Sequence, residues 1–347
     1  MRPGRISAAV WPLVTAAGWT WPCRLALLSA VAMAAALAQQ DTAGKPASAP
    51  LRRTQFRGIS SSQTLNNINR NDARAAVKAW FDVIARQKGF LLDSKVDIVD
   101  NMAETRERLQ NHSVELVTLS ISDYLELETS GLVVPVLTDT RNAQKGALYC
   151  YVLVVNPTSG VTAIGGLRGK KILVSSRVGS NTGIAWVDVV LGKEKLGRAA
   201  SFFASIRVPD KAQACILPLF FGSVDACVVD EVSLNLAKEM NPQLEKLKVL
   251  ARSRPMIESI ITTPVEPHPL QKEVIDAMLS LHEDPRGRQL LMVFKTDRIV
   301  RLQPGDLDAA RELWRDYYRL PGSLPNRPPV SAPAPEISPG DRGKERY

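Results

Sequence analysis

Histidine and cysteine are scarce in this sequence, with three of one and four of the other among 347 residues. His112, His268 and His282 lie far apart and share no ligand spacing. The cysteines match no metal-binding motif, and Cys215 and Cys227 are expected to be buried free thiols, although an oxidising compartment would allow them to pair. These shortages exclude the common zinc sites, and we expect neither a metal nor a cofactor.

Blocks of basic residues are also missing. Lysine and arginine outnumber aspartate and glutamate by 44 to 35, which gives a formal net charge of +9. The excess is spread along the chain without interleaved aromatic residues, whereas nucleic-acid-binding proteins concentrate basic residues on one face. The pattern therefore indicates a solvated basic surface and no nucleic-acid partner.

The N-terminal apolar run is too short to cross a membrane. It covers residues 25–38, and only Ser29 interrupts it. Such a run reaches about 21 Å as a helix, against a hydrocarbon core of about 30 Å. Three arginines precede it, and it ends in Ala36-Leu37-Ala38. These features predict a cleaved signal peptide over residues 1–38 and a periplasmic location.

Large apolar residues are rare in two further segments. Residues 39–50 are predicted to form a short tether, and the proline-rich residues 321–347 an extended, disordered tail.

Between these segments, short apolar runs alternate with helical patterns of 10–15 residues, which predicts an α/β fold with parallel sheets. Two such series are joined by long strands, and this indicates two lobes with a cleft between them. The last strand is expected at residues 247–251, followed by helices near residues 270–282, 287–294 and 306–318.

Three loops between a strand and a helix are rich in hydroxyl groups: residues 60–63, 120–123 and 179–183. Ligands of open α/β sheets bind where such loops lead into helices. In Gly179-Ser180-Asn181-Thr182-Gly183 the glycines permit close approach, while backbone N–H groups and hydroxyls supply donors for an oxyanion. The segment lacks the lysine and the spacing of a Walker loop. The alternative is that Ser180 and Thr182 only cap a helix.

Four segments occur in a recognisable order, and together they resemble type 2 periplasmic binding proteins, most closely the phosphonate/phosphite/phosphate-binding family. The resemblance covers about residues 54–320. Its segments are Asn71-Asp72-Ala73-Arg74, then Leu167-Arg168-Gly169-Lys170-Lys171-Ile172 with the glycine-flanked loop, then Phe221-Gly222-Ser223-Val224-Asp225-Ala226, then Ala251-Arg252-Ser253-Arg254-Pro255.

This resemblance implies a two-lobed type 2 fold whose lobes are joined by two crossover strands. Residues 51–145 plus 256–320 would form lobe 1, and residues 146–255 would form lobe 2. The expected protein is a periplasmic monomer that binds a small oxyanion, phosphonate-like or phosphate-like, and delivers it to the permease of an ABC importer.

The resemblance also implies the ligand-binding residues. The second lobe would hold the phosphoryl oxygens, the first lobe would add hydroxyl groups, and one acid would contact an amino or hydroxyl group of the ligand. In that order the residues are Ser180, Asn181, Thr182 and Gly183; then Ser61, Ser62, Ser122 and Tyr124; then Asp230.

Two other functions use the same fold. A ligand-binding subunit of a periplasmic sensor would have the same lobes and the same cleft. An enzyme would need a nucleophile beside a base or a metal. The sequence provides neither, so we expect no enzymatic activity.

The signal-peptide prediction sets the mature N-terminus near Gln39, because cleavage is expected after Ala38. Edman sequencing of the protein isolated from the periplasm should therefore begin at or close to Gln39. Periplasmic protein that still carries residues 1–38 would contradict this assignment.

Overall fold

The structure is a computed structural model that describes residues 52–65, 68–87, 90–140, 147–175, 181–209 and 211–322. The predicted signal peptide, the tether and nearly all of the predicted tail lie outside these residues. Within the described ranges, no helix has both the length and the apolar character needed to cross a membrane.

Six strands form the first sheet, and they come from two separate parts of the chain. They are β1 (Arg52–Ser61), β2 (Phe90–Val99), β3 (Leu116–Ser120), β4 (Val133–Thr140), β10 (Ser259–Pro264) and β11 (Arg298–Arg301). Their order is β11-β4-β10-β3-β1-β2. Parallel pairing joins β1 to β2 and β3, and β10 runs antiparallel between β3 and β4.

The second sheet has five strands from one continuous stretch of chain. They are β5 (Tyr151–Val155), β6 (Lys171–Val174), β7 (Ser205–Arg207), β8 (Ala226–Asp230) and β9 (Lys248–Arg252). Their order is β7-β6-β8-β5-β9, with β5 antiparallel to both of its neighbours. Every residue of β5 is buried, which explains its uninterrupted apolar sequence.

Helices cover both sheets, and we call each sheet with its helices a lobe. The first lobe has α1 (Arg70–Gln87), α2 (Met102–Gln110), α3 (Ile121–Glu128), α8 (Gln271–Leu279) and α9 (Pro285–Val293). The second has α4 (Thr182–Lys193), α5 (Ala199–Phe202), α6 (Gln213–Phe220) and α7 (Glu231–Met240). The predicted α/β class is confirmed, but the predicted parallel sheets are wrong: both sheets are mixed, because β10 and β5 run antiparallel to both of their neighbours.

One sequence prediction about the strands is wrong. The strand expected at residues 247–251 is β9, but it is not the last one, because β10 and β11 follow it. Both belong to the first sheet, so the chain returns there after completing the second. β10 is nearly continuous in burial and has no alternating pattern that would have marked it as a strand.

The last helix, α10 (Asp308–Arg319), contacts both lobes. Arg311 Nε donates to Glu128 of α3 at 3.0 Å, and Lys193 of α4 pairs with Asp316 at 3.3 Å. The Arg198 guanidinium lies 4.6 Å from the centre of the Tyr317 ring. The helix is therefore tied by charge to one lobe and by charge and ring contact to the other.

A partly open cavity of about 150 Å³ lies between the first sheet and helices α1, α8 and α9. Native interiors are close-packed, and voids larger than a water molecule are few.

The packing of α9 can be tested at Gly287. A Cβ on its backbone would lie 1.9 Å from the carbonyl oxygen of Leu281, so either α9 or the turn that contains Leu281 would have to move. We expect Gly287→Ala to lower the free energy of unfolding by about 1–3 kcal/mol. Gly165→Ala is the matched control, because no atom lies within 4 Å of a Cβ there. Equal urea midpoints for the two variants would contradict this close approach.

Candidate functional site

The chain passes between the lobes twice, and the described parts of the two passages are bonded to each other. The Tyr149 N–H donates to the Met256 carbonyl at 2.8 Å, and the Met256 N–H donates back at 2.9 Å. Two residues further on, the Tyr151 N–H donates to Ser253 Oγ at 2.8 Å. The starts of helices α3 and α4 lie on either side of this junction, as the following contacts indicate.

Glu258 and Tyr151 form a buried hydrogen bond across the junction. The Tyr151 hydroxyl, at the start of β5, donates to Glu258 Oε1 at 2.6 Å, and the two residues are 1% and 2% exposed. The Glu258 carbonyl accepts from the Ile121 N–H at 2.9 Å, and Ile121 begins α3. One acidic residue is therefore bonded both to the second sheet and to the start of a first-lobe helix.

Around the start of α3, three hydroxyl groups and a carboxylate cluster. Ser61 Oγ, at the end of β1, donates to Asp123 Oδ2 at 2.5 Å. Ser120 Oγ accepts from the Asp123 N–H at 3.2 Å and lies 2.9 Å from Ser122 Oγ. All four residues are buried. The structure thus brings the predicted Ser61 and Ser122 together and adds Asp123.

Asp123 limits what Ser61 can offer a ligand. A serine hydroxyl has one proton, and an ionised carboxylate can only accept. While Asp123 is ionised, the Ser61 hydroxyl donates its hydrogen bond to that carboxylate. Toward any other group, Ser61 can then act only as an acceptor. Burial raises the pKa of Asp123, hydrogen bonds from Ser61 and Ser120 oppose the rise, and nearby Glu126 adds to it. Protonation of Asp123 would let Ser61 become a donor.

Ser62 and Tyr124 have partners within the first lobe. Ser62 hydrogen-bonds to Asp100, whose pKa is lowered chiefly by Arg70 and also by this serine. The Tyr124 hydroxyl donates to Glu128 Oε1 at 3.0 Å, and burial raises the pKa of Tyr124 to about 12. The partners of both hydroxyls thus lie outside the Ser61–Asp123 cluster.

In the second lobe, α4 begins at Thr182, which is fully buried. A Cβ on Gly183 would lie 3.0 Å from Val174 Cγ1 and 3.4 Å from Tyr151 Cε1, so the first turn packs tightly against β6 and β5. Asn181 is half-buried just before the helix. Ser180 lies outside the described residues. The first turn of a helix carries unsatisfied N–H groups and the positive end of the helix dipole, which favour an anion.

Asp230, at the end of β8, is the N-cap of α7. Its Oδ1 accepts from the Ser233 N–H at 2.8 Å, and its Oδ2 accepts from Ser233 Oγ at 2.6 Å. Each carboxylate oxygen has a second lone-pair direction, so this capping role leaves acceptor capacity.

Sequence reasoning did not include Asp123 and Glu258 among the ligand-binding residues. A usable signal existed for Glu258, which is a single acid beside Met256, Ile257 and Ile260 in an otherwise apolar segment. Asp123 gave no such signal, because an acid in the first turn of a helix is common. Among the described residues, no group of three or more His, Cys, Asp or Glu is placed to hold a metal ion.

These features define a two-lobed α/β protein with polar groups at the junction of its lobes. The chain belongs to the periplasmic substrate-binding proteins of phosphonate ABC transporters, since the sequence model of that family matches residues 64–307. It therefore has the role of that family, which is to bind a substrate for an ABC importer. No curated protein sequence matches the chain.

Several solved structures share the fold at low sequence identity. XAC2383 from Xanthomonas citri, solved bound to ATP, is 14% identical with a TM-score of 0.55, and the match covers 76% of this chain and 97% of that one. A binding protein component of an ABC phosphonate transporter from Pseudomonas aeruginosa is 11% identical with a TM-score of 0.51, covering 76% and 87%. PhnD1 from Prochlorococcus marinus, in complex with methylphosphonate, is 14% identical with a TM-score of 0.50, covering 77% and 99%. These similarities confirm the predicted two-lobed periplasmic binding protein fold.

The raised pKa of Asp123 predicts a pH-dependent stability. Its carboxyl holds its proton in the folded state at pH values where the unfolded chain, with a pKa of about 3.9, has lost it. The cost of burying the charge is thus complete above the raised pKa and disappears as the pH falls toward the unfolded value. Wild type should therefore gain stability relative to Asp123→Asn as the pH is lowered from neutral.

Urea unfolding of both proteins across this pH range measures the difference. Asp297→Asn, which alters an exposed carboxylate, is the matched control. If the difference in unfolding free energy between wild type and Asp123→Asn stays constant with pH, the result would contradict a buried, titrating Asp123.

Proposed function

We propose that the chain binds a small phosphonate-like or phosphate-like oxyanion between its lobes, with the anionic group at the start of α4. The observation that carries this assignment is the packing of Gly183 against Tyr151, beside the buried Thr182, at the junction where the chain crosses between lobes. Membership of the family implies an ABC importer as the partner.

An oxyanion suits the start of α4 for a physical reason. The helix has 12 residues, so its dipole is fully developed, and its first N–H groups point beyond its N-terminus. Gly183 brings the backbone close to Val174 and Tyr151, and so fixes the direction of those groups. In this proposal Ser180, Asn181, Thr182 and Gly183 hold the phosphoryl oxygens, and no lysine is required.

The buried acids of the first lobe narrow the ligand class. Asp123 and Glu258 are each less than 5% exposed, and a dianion placed near these carboxyl groups would be repelled by each one that is ionised. A ligand that donates a proton or carries a positive group toward them would be attracted. The proposed ligand is therefore a singly charged oxyanion, or one with an amino or hydroxyl substituent.

The first-lobe residues Ser61 and Ser122 would then contact the part of the ligand that faces Asp123. Ser62 and Tyr124 stay in the proposed set, with their contacts to Asp100 and Glu128 as the interactions that a ligand would have to replace or share. Asp230 would add a second acceptor at the end of β8, the central strand of the second sheet.

Substitution of Thr182 tests the oxyanion site. Thr182→Val keeps the shape of the buried side chain and removes the hydroxyl, whereas Thr182→Ser keeps the hydroxyl. A hydrogen bond to a charged group contributes about 1.5–3 kcal/mol, so Thr182→Val should weaken binding by about 10- to 150-fold. Adding Ser180→Ala should weaken it further, but by less than the sum, because both hydroxyls share one ligand.

Isothermal titration calorimetry with methylphosphonate and with phosphate measures these affinities, and urea unfolding of each variant measures stability. A residue that only caps the helix would reduce stability by about 0.5–2 kcal/mol and leave the affinity unchanged. Thr182→Val with lower stability and wild-type affinity would place the anion elsewhere. Thr182→Ser should bind like wild type.

A further inference from the structure

The cavity in the first lobe lies on the opposite face of the sheet from the proposed oxyanion site. Successive residues of a strand point to opposite faces. Ser61 of β1 points to Asp123 of α3, whereas its neighbour Ser60 lines the cavity on the side of α1. Phe56, four residues earlier on the same strand, packs in the same hydrophobic cluster as Trp80 and Phe81 of α1. The cavity and the proposed oxyanion site therefore both border β1 but lie on opposite faces of the first sheet.

Apolar side chains form most of the cavity wall. They come from α1, β10, α8 and α9, and they include Val77, Trp80, Phe81, Ile261, Met278 and Leu290. A cavity with such walls disfavours water, which needs polar partners.

Five of the polar side chains that line the cavity are hydrogen-bonded within the protein. The Ser259 hydroxyl donates to Asp139 Oδ1, and Thr296 Oγ1 donates to Asp139 Oδ2 at 3.3 Å. Ser60 Oγ lies 2.7 Å from Thr64 Oγ1. Because these groups have partners within the protein, a ligand in the cavity does not need to supply polar atoms.

A groove on the outside of the lobe lies next to the cavity. It has a volume of about 440 Å³ and runs between α1 and the helices α8 and α9. Small residues such as Ala76, Ala79 and Gly287 line it. Trp80, Leu281 and Leu290 line both spaces and are therefore the wall between them.

We propose that the first lobe binds a small, uncharged apolar molecule, about the size of one six-membered ring, in this cavity. The volume of about 150 Å³ matches that of an engineered apolar cavity that binds benzene. Charged molecules are disfavoured, because Asp139 already has its partners and the other charged lining residue, Arg74, is half-buried and keeps access to water. This site is separate from the proposed oxyanion site.

Toluene is the probe, titrated against the full chain in sealed cells. We expect one molecule bound per chain and a thermal unfolding midpoint that rises with toluene concentration. Benzoate has a similar ring but a charge, and it should produce no rise. Absence of toluene binding by equilibrium dialysis, or binding of benzoate as tight as that of toluene, would overturn the proposal.

Val77→Phe places a ring in the cavity and should weaken toluene binding at least tenfold. Its methylphosphonate affinity should stay at the wild-type value, because Val77 lies on the other face of the sheet. Val265→Phe is the matched control, since Val265 is 54% exposed and away from the cavity. If Val77→Phe does not fold, Ala73→Val, which adds two methyl groups at another lining position, takes its place. A folded filling variant that binds toluene like wild type would show that the apolar site lies elsewhere.

Discussion

Tyr151 and Glu258 meet where the chain passes between the lobes, and the geometry of the candidate site depends on their buried hydrogen bond. The 2.6 Å contact joins the start of the second sheet to the return passage into the first. Loss of one partner leaves the other buried polar group without its hydrogen bond, which costs about 1–3 kcal/mol. Both helix starts at the site depend on this pair: Ile121 of α3 donates its N–H to the Glu258 carbonyl, and Gly183 of α4 packs on the Tyr151 ring.

The two sides of the junction differ in charge. The second lobe offers the positive end of α4, while the first lobe offers the carboxylates of Asp123 and Glu258. In the proposed site, this opposite electrostatic character would select ligands that are themselves asymmetric, since the wrong orientation would be repelled. Asp123 adds a second level of selection, because its proton decides whether Ser61 donates or accepts. A few buried groups could therefore separate related oxyanions that have the same shape.

Local patterns predicted much of the fold. Alternating apolar and helical segments gave the α/β class, and the order of four short motifs gave the family and the position of the α4 start. The strands β10 and β11 were not predicted. β10 lies between two strands of the first sheet and is largely buried, so its sequence has no alternation, and β11 has only four residues. Whether a short apolar segment becomes a strand depends on the neighbours that it meets, and these are far away in the chain.

The sequence by itself determined the fold class, the family and the hydroxyl-rich loops before α3 and α4, because these depend on residue types at short spacing. Only the tertiary structure decided which of those hydroxyls have partners. Ser61 and Asp123 are separated by 62 residues, and Tyr151 and Glu258 by 107. The order of strands in each sheet brings these pairs together, and no local pattern carries that order. The cavity beside Trp80 arises in the same way, from the distance that packing leaves between the sheet and its helices.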